Sequence, residues 1–565
     1  MSLLFKPYDG SLAQLMTSAV RRQLDAVESS TDGAVRFAIY ATMGALIGAF
    51  VALVEWLTIE VALHELIAAP LWLQLLAPGL GLVAVAVLYR FASELPATTS
   101  EAYIDSFHSG DGPNEQHLPG RMLASFFTLG AGGALGLEGP AILAGSTFGQ
   151  WIAKFKPKSL GNRSQRSLLV AGAAAGVAAV FKAPATGVIF ALEVPYRRDI
   201  ARHALIPALI SSAAAYVTFV IFLGAEPLLR FAPAEISLAD EIIGAIVLGL
   251  VGGATARGLV RLFRWAKHLG ESVALMPRLA VSALALAGSV AVTNAVVDVP
   301  LSLGPGAEFA AEVVSDPGLS AWVLILLFFV RAVATTSVLG AGGIGGVFIP
   351  LVVQGLLLGR LAEMVFDAPQ TGLYPVIGLA AVLGAGYRTP LAAVMFVAES
   401  TGRAEFVIPA LIATAISQSL MGEDSVSDYQ IGERQGRLER RLGAPALSVA
   451  LTDVGSVAPE TGLLEVIDRY GDHPVSPAVP VAGPNYCGLL VLHDLATVIL
   501  EHGIEATAAD AMRSVPCIKS SLPAVHAARI MNEHDTAAVA VVDEDDVPIG
   551  VISALSLAGL RHIDE

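Results

Sequence analysis

In the stretch GAGGALGLEGP, Gly130 to Pro140, a single carboxylate, Glu138, stands among glycines and apolar residues with no cation nearby. An acid in apolar sequence carries a large desolvation cost, so its default reading is functional. The chain nearly repeats the stretch at GAGGIGGVFIP, Gly340 to Pro350, with six identities in eleven positions and Phe348 where the acid was. A glycine-rich run followed by a proline predicts unwound chain entering a helix, with the proline in the first turn, where its missing N–H costs nothing. Such a start presents free amides and the positive end of the helix dipole, which together make an anion site. Amides suit throughput, because a full positive charge in low dielectric would hold an anion too tightly to release it. Glu138 then has two readings. It caps its own helix, or it competes with a passing anion for the same amides and leaves when protonated or displaced.

A second pair of matches follows the first. VFKAPATGVIFALE, Val180 to Glu193, aligns without a gap to GYRTPLAAVMFVAE, Gly386 to Glu399, pairing Lys182 with Arg388, Pro184 with Pro390 and Glu193 with Glu399. Offsets of 210 and 206 residues in the same order indicate an internal duplication. Coincidence in Gly/Ala-rich membrane sequence is the weaker account, since small residues recur there for packing but ordered prolines and acids do not. Duplicated halves with Gly/Pro-broken apolar segments point to a transport pathway at the repeat interface.

The elements that must position these residues are membrane helices. Of the 565 residues 55% are hydrophobic and only 15% charged, against roughly a quarter charged in a soluble protein. Stretches near the roughly 20 residues needed to cross a bilayer run over 34–54, 71–88, 204–223, 242–259 and 279–297, and the membrane region extends to about Met421. Basic residues gather at 154–166, 196–202 and 257–267, and the positive-inside rule puts those loops in the cytoplasm. The opening residues lack a signal-peptide core, so both termini are expected to be cytoplasmic, in a multi-pass protein of the plasma membrane. The net charge of -16 argues against nucleic acid as a partner. Cys487 and Cys517 read as free thiols, and no spacing suggests a metal site.

At these motifs the chain resembles the CLC family of chloride channels and proton/chloride antiporters. GLEGP is similar to the family's G(K/R)EGP motif and GGVFIP to its GxFxP motif; AAGVAAVFKAPATGVIFALE and FVAEST resemble its following blocks, over roughly residues 35 to 435. The resemblance implies an α-helical membrane protein of two inverted-topology repeats, about eighteen helices, in a homodimer with one pore per subunit. It makes Glu138 the gate, the amides of Val347 and Phe348 the central anion site, and Leu137 and Gly139 neighbours of the outer site. Four departures stand out. Leu137 replaces the motif's cation. The family's GSGIP stretch falls on PATTSEAYI without its glycines, leaving Thr98, or Thr99 or Ser100, to supply the central hydroxyl. Val194 occupies the position where coupled antiporters often carry an internal proton glutamate. Ser427 aligns with the tyrosine that usually contacts the central anion, and Tyr429, two residues on, would face elsewhere on a helix. Glu193 reads better as a structural acid at a helix end than as a relay, because Glu399 holds the matching place. Arg331, a cation inside an apolar helix, is expected either to lend positive potential to the pore or to pair with Glu193 or Glu399.

After a polar linker at 433–445 the composition turns soluble. Two units follow, about 446–505 and 506–565, each reading as helix, buried strand, turn, strand and helix. They resemble a pair of CBS domains, which often bind adenine nucleotides. The nucleotide signature is incomplete in both: the first copy has Asp494 but no hydroxyl, the second Ser553 but no acid. A purely structural, dimerising pair is the equal alternative.

The expected organisation is therefore a cytoplasmic segment at 1–33, a membrane domain at 34–432 with halves of about 34–235 and 236–432, the linker, and the α/β tail. The expected function is non-enzymatic: passive conduction of chloride and similar monovalent anions across the bilayer, gated by Glu138, with no resident cofactor beyond a candidate adenine nucleotide on the tail. The alternatives are a proton-coupled chloride antiporter and a poorly conducting scaffold whose tail senses nucleotides.

Overall fold

The computed structural model describes residues 12–91, 99–109, 117–155, 164–231, 238–368, 370–433, 437–471 and 476–559. Thr98 and most of the basic run at 154–166 lie outside these residues. The chain divides into two compact units, Met1–Glu433 and Arg434–Glu565.

The first unit is built from helices. In its first half these are α1 (Leu12–Glu55), α2 (His64–Ala68), α3 (Leu71–Phe91), α4 (Thr99–Ser109), α5 (Leu118–Gly130), α6 (Glu138–Lys154), α7 (Ser164–Val180), α8 (Pro184–Glu193) and α9 (Leu205–Leu223). The second half has α10 (Leu238–Ser272), α11 (Leu275–Val297), α12 (Ala307–Ser315), α13 (Ala321–Ala341), α14 (Phe348–Val365), α15 (Leu373–Tyr387), α16 (Pro390–Thr401) and α17 (Val407–Ser419). Among the described residues seven helical stretches are long and apolar enough to cross a membrane, and shorter apolar helices including α7, α8, α15, α16 and α17 fill the interior between them. A π-helical stretch, Trp56–Leu63, joins α1 to α2, so the first apolar segment runs on to Ala68 rather than ending near Val54.

The duplication is visible as repeated geometry. Prolines open α8 and α16, and the residue two before each, Lys182 and Arg388, adopts a left-handed conformation with φ of 53° and 60°. That backbone is costly for a residue with a Cβ, and its recurrence at matched positions marks one supersecondary unit used twice. Helices pack closely through glycine in both halves. A Cβ at Gly145 or Gly172 would strike the other's backbone carbonyl across the α6/α7 contact, and Gly355 and Gly359 of α14 approach the backbone of α15 in the same way. Such contacts stabilise helix pairs where lipid removes any hydrophobic drive to associate.

Opposing acids tie α8 to α16. The Glu193 carboxylate at the end of α8 accepts hydrogen bonds from the amides of Leu391 and Ala392, at 3.2 and 2.8 Å, in the first turn of α16. Glu399 of α16 accepts in turn from the amides of Ala185 and Thr186, at 2.9 and 2.7 Å, in the first turn of α8. Each helix thus caps the other's positive end, and Glu193 has the structural role that its match to Glu399 suggested.

Arg331, fully buried in α13, pairs with neither acid, contrary to one of the two expectations for it. Its guanidinium donates to the carbonyls of Leu301, Gly304 and Pro305, at 2.9, 3.0 and 2.5 Å. The segment before α12 is irregular, and its carbonyls would be orphaned in the interior without these donors.

In the second unit the helix, strand, strand, helix order occurs twice. The first copy has α20 (Leu463–Tyr470), β1 (Ala478–Ala482), β2 (Tyr486–Val491) and α21 (Leu495–His502); the second has α23 (Val525–Glu533), β4 (Ala538–Val542), β5 (Pro548–Ser553) and α24 (Ala554–Ala558). Short helices α18 (Arg437–Gly443) and α19 (Ala446–Val449) precede the first copy, and α22 (Ala508–Ala511) and β3 (Ile518–Lys519) lie between the copies. Strands β1 and β2 pair antiparallel; β4 pairs antiparallel with β5 and parallel with β3. Cys487 and Cys517 are free thiols.

Candidate anion site

Two irregular stretches, 131–137 and 342–347, meet at the centre of the first unit. Gly136 and Gly346 exchange backbone hydrogen bonds of 2.9 and 2.8 Å, a one-residue antiparallel bridge between the halves. Immediately after it α6 starts at Glu138 and α14 at Phe348, each with its proline in the first turn. The helix starts read from the motifs are the observed ones.

At matched positions the two side chains part company. Phe348 turns into an aromatic cluster, with ring centroids 4.4 Å from Phe181, 5.0 Å from Phe396 and 5.5 Å from Phe190. Glu138, 1% exposed, crosses to the other half, where its Oε1 accepts from the Phe348 amide at 2.6 Å. The Ile349 amide and its own amide also face the carboxylate. Its Oε2 has no hydrogen-bond partner, and there is no room for a Cβ on Gly136 or Gly346 without striking the carboxylate. The two oxygens stand where a small anion held by those amides would stand. Binding of carboxylate and of anion at this place are mutually exclusive.

Leu137, the residue before α6, and Glu138 line a cavity of about 150 Å³ that also contains Phe181, Lys182, Glu55 and Ile349. Glu55, Phe181 and Lys182 also line an adjoining recess of about 410 Å³, with Glu226, Arg230 and Glu308. Lys182 therefore places a cation in the lining of the cavity beside Glu138, where the motif has lost one at Leu137. The signal for it was its match to Arg388. Gly139 is buried in the first turn of α6.

Below the centre, residues 420–433 form turns and bends rather than the helix assumed for Tyr429. Ser427 is 3% exposed and its hydroxyl accepts from the Tyr429 amide at 3.2 Å, while the Tyr429 side chain is half exposed. Gln430 bridges the carbonyls of Val194 and Tyr387, at 2.7 and 2.9 Å, bringing the apolar position that departs from the antiporter pattern beside the end of α15. Ser100, at the start of α4, lies near the Tyr387 hydroxyl. Nothing is described for Thr98 or for the Thr99 side chain.

In the tail, Asp494 is ion-paired with Arg513, and the Ser553 hydroxyl accepts from the Ser556 amide at 3.1 Å in a reciprocal cap of α24. Both candidate nucleotide contacts are thus engaged within the tail itself.

A model of the voltage-gated chloride channel family matches residues 80–422, more than half of the chain, and a CBS domain model matches 508–561. The chain belongs to the voltage-gated chloride channel, or CLC, family. Relatives include the H(+)/Cl(-) exchange transporter ClcA of Vibrio cholerae, 28% identical over 380 residues, covering 64% of this chain and 78% of that one. The transporter of the same name from Salmonella paratyphi A is 27% identical over 327 residues, with coverages of 54% and 67%. A ClcB-like chloride channel protein, by name, from Ralstonia nicotianae is 29% identical over 360 residues, with coverages of 61% and 82%. Among solved structures, a CLC-type fluoride/proton antiporter superposes with a TM-score of 0.60 at 21% identity, covering 71% of this chain and 98% of its own. A eukaryotic CLC transporter covers 93% of this chain and 98% of its own, with a TM-score of 0.58 at 16% identity. These likenesses establish the CLC fold, two inverted helical repeats in a multi-pass membrane protein.

Proposed function

We propose that this CLC chain is a proton-coupled chloride antiporter. The observation that carries the reading is the Glu138 carboxylate on the Phe348 amide at 2.6 Å. A carboxylate and a chloride compete for one set of amides, so entry of the anion requires the acid to leave, and protonation lowers its hold by removing the charge. A group that must be vacated and reprotonated in each cycle links the two ions. The names of the ClcA relatives favour exchange over the passive conduction expected from the motifs alone. Passive conduction is the second reading, and it draws on Val194, which puts a buried apolar side chain where a proton-carrying acid would stand.

Chloride is the proposed cargo, the homodimer the proposed assembly, and the plasma membrane, with both termini cytoplasmic, the proposed setting. For the tail, a structural pairing role is proposed over adenine-nucleotide binding, because Asp494 and Ser553 already have partners. The test is purified protein in liposomes loaded with chloride. Under exchange, a chloride gradient drives protons uphill, read as a pH change that survives a clamp of the membrane potential. Chloride efflux without proton movement establishes the channel instead.

A further inference from the structure

The end of α1 carries an acid that no motif explains. Glu55 directly precedes the π-helical stretch Trp56–Leu63, and its Oε2 is buried without a hydrogen-bond partner. A polar atom left in that condition carries a desolvation cost that an apolar residue would avoid. The side chain stands at a junction. It lines the cavity of about 150 Å³ that contains Glu138, and it also lines the adjoining recess of about 410 Å³, which Glu138 does not. The recess reaches the surface at Glu226 and Arg230, whose side chains are 77% and 67% exposed.

The surroundings of Glu55 fit proton traffic better than anion traffic. Lys182, at the entry to α8, acts on it by charge, as do Glu60 in the π-helical stretch and Glu308 in the first turn of α12. Glu60 is paired with His64 at 3.1 Å. Helices α7 and α9 also pack against α1; α9 has no charged residue, and Arg166 of α7 lies about four turns from Val180, its residue at the cavity. Carboxylates thus outnumber cations in the lining of both spaces, a field that draws protons and repels anions. Glu308 also lines both, but it is exposed, whereas Glu55 holds a buried oxygen. One wall of the inner cavity is fixed in place, since Arg331 donates to the carbonyls of Gly304 and Pro305 in the segment that lines it.

We propose that Glu55 hands protons from the recess to Glu138. The Glu55 carboxylate takes a proton from water in the recess and becomes the neutral acid. Its O–H then gives that proton, through water in the shared cavity, to the Glu138 carboxylate, and Glu55 returns to the carboxylate. The cavity has the volume and the polar lining to admit water. Neutral Glu138 loosens its hold on the Phe348 amide, and Lys182 in the same lining offsets the repulsion between the two acids when both are charged. This inference rests on the exchange reading proposed above.

The test uses the full-length chain in liposomes, with proton uptake driven by a chloride gradient. Glu55→Gln keeps the shape and is expected to slow proton uptake about tenfold near pH 8, a deficit below the loss of a positioned acid because Glu138 itself remains. The deficit should close as the pH on the recess side falls toward about 5, where protons in the recess reach Glu138 directly. Glu55→Asp, which keeps the acid, should stay near the wild type. Glu308→Gln removes the same charge from the same two spaces and should slow uptake far less. Wild-type uptake in Glu55→Gln, a deficit that is constant with pH, or an equal deficit in Glu308→Gln overturns the relay and leaves the exchange reading standing. Chloride flux without uphill proton movement in the wild type overturns the exchange reading and the relay with it.

Discussion

At the scale of single residues, the molecule turns on one asymmetry between matched positions, Glu138 and Phe348. Substituting Glu138→Gln keeps the shape and removes the titration. Proton movement is expected to fall by about a hundredfold, the contribution of a positioned acid, while chloride flux persists and loses its dependence on pH. A pH-jump flux assay in liposomes reads both; a flux that remains pH-dependent would reduce Glu138 to a cap. The glycine runs, the two prolines and the lone acid made this part of the site legible from sequence, because helix starts have strict local signatures. Lys182 was legible only as the match to Arg388; that it lines the cavity beside Glu138 depends on packing that no spacing records.

At the scale of elements, α8 and α16 are joined head to tail by Glu193 and Glu399, each satisfying the other helix's first turn. Glu193→Gln removes a charge that strengthens two such bonds and is expected to destabilise the chain by about 1–3 kcal/mol, seen as a lower thermal midpoint in detergent. The proton-to-chloride ratio should stay at its wild-type value. A changed ratio would make Glu193 a proton carrier in place of the missing acid at Val194. Sequence matching identified the pair as equivalent, but not that each acid reaches the other's helix. Contacts across a pseudo-twofold axis leave no spacing pattern. The same holds for Arg331, whose acceptors are backbone carbonyls and so invisible to any search for complementary side chains.

At the scale of the whole membrane unit, charges are segregated. Beside Glu138 are Glu55, Lys182 and Glu308; around the 423–428 loop, Arg197 and Arg198 hold Glu423, and Arg257 and Arg261 hold Asp424. The hydrogen bond from Arg197, then the charge of Arg198, keep the Glu423 carboxyl below its ordinary range. For Asp424 burial pushes upward, and the bonds from Arg257 and Arg261 together outweigh it. A depressed folded value means that these ties are fully present above the unfolded value, about 4, and are lost only as pH falls through the lower folded one. Between pH 5 and 8 Glu423 and Asp424 therefore both stay ionised, and neither sets the pH dependence of the proposed transport in that window. Glu423→Gln should accordingly reproduce the wild-type pH profile over that range in the liposome assay, and a displaced profile would place the titrating group at this loop. Composition and duplication made the large-scale plan readable. The long α10 and the π-helical join after α1 were not, because uniform hydropathy does not mark where a helix ends or changes pitch.

The bridge between Gly136 and Gly346 gives the two halves one shared seat, and a seat for one carboxylate only. Had both copies of the duplicated unit kept an acid, two like charges would have converged on the same few amides in low dielectric, where repulsion at 4 Å reaches several kcal/mol. The site would then stay half-protonated and closed to chloride. On the proposed exchange reading, divergence at that single position makes a symmetric pair of helix starts into a turnstile with one arm.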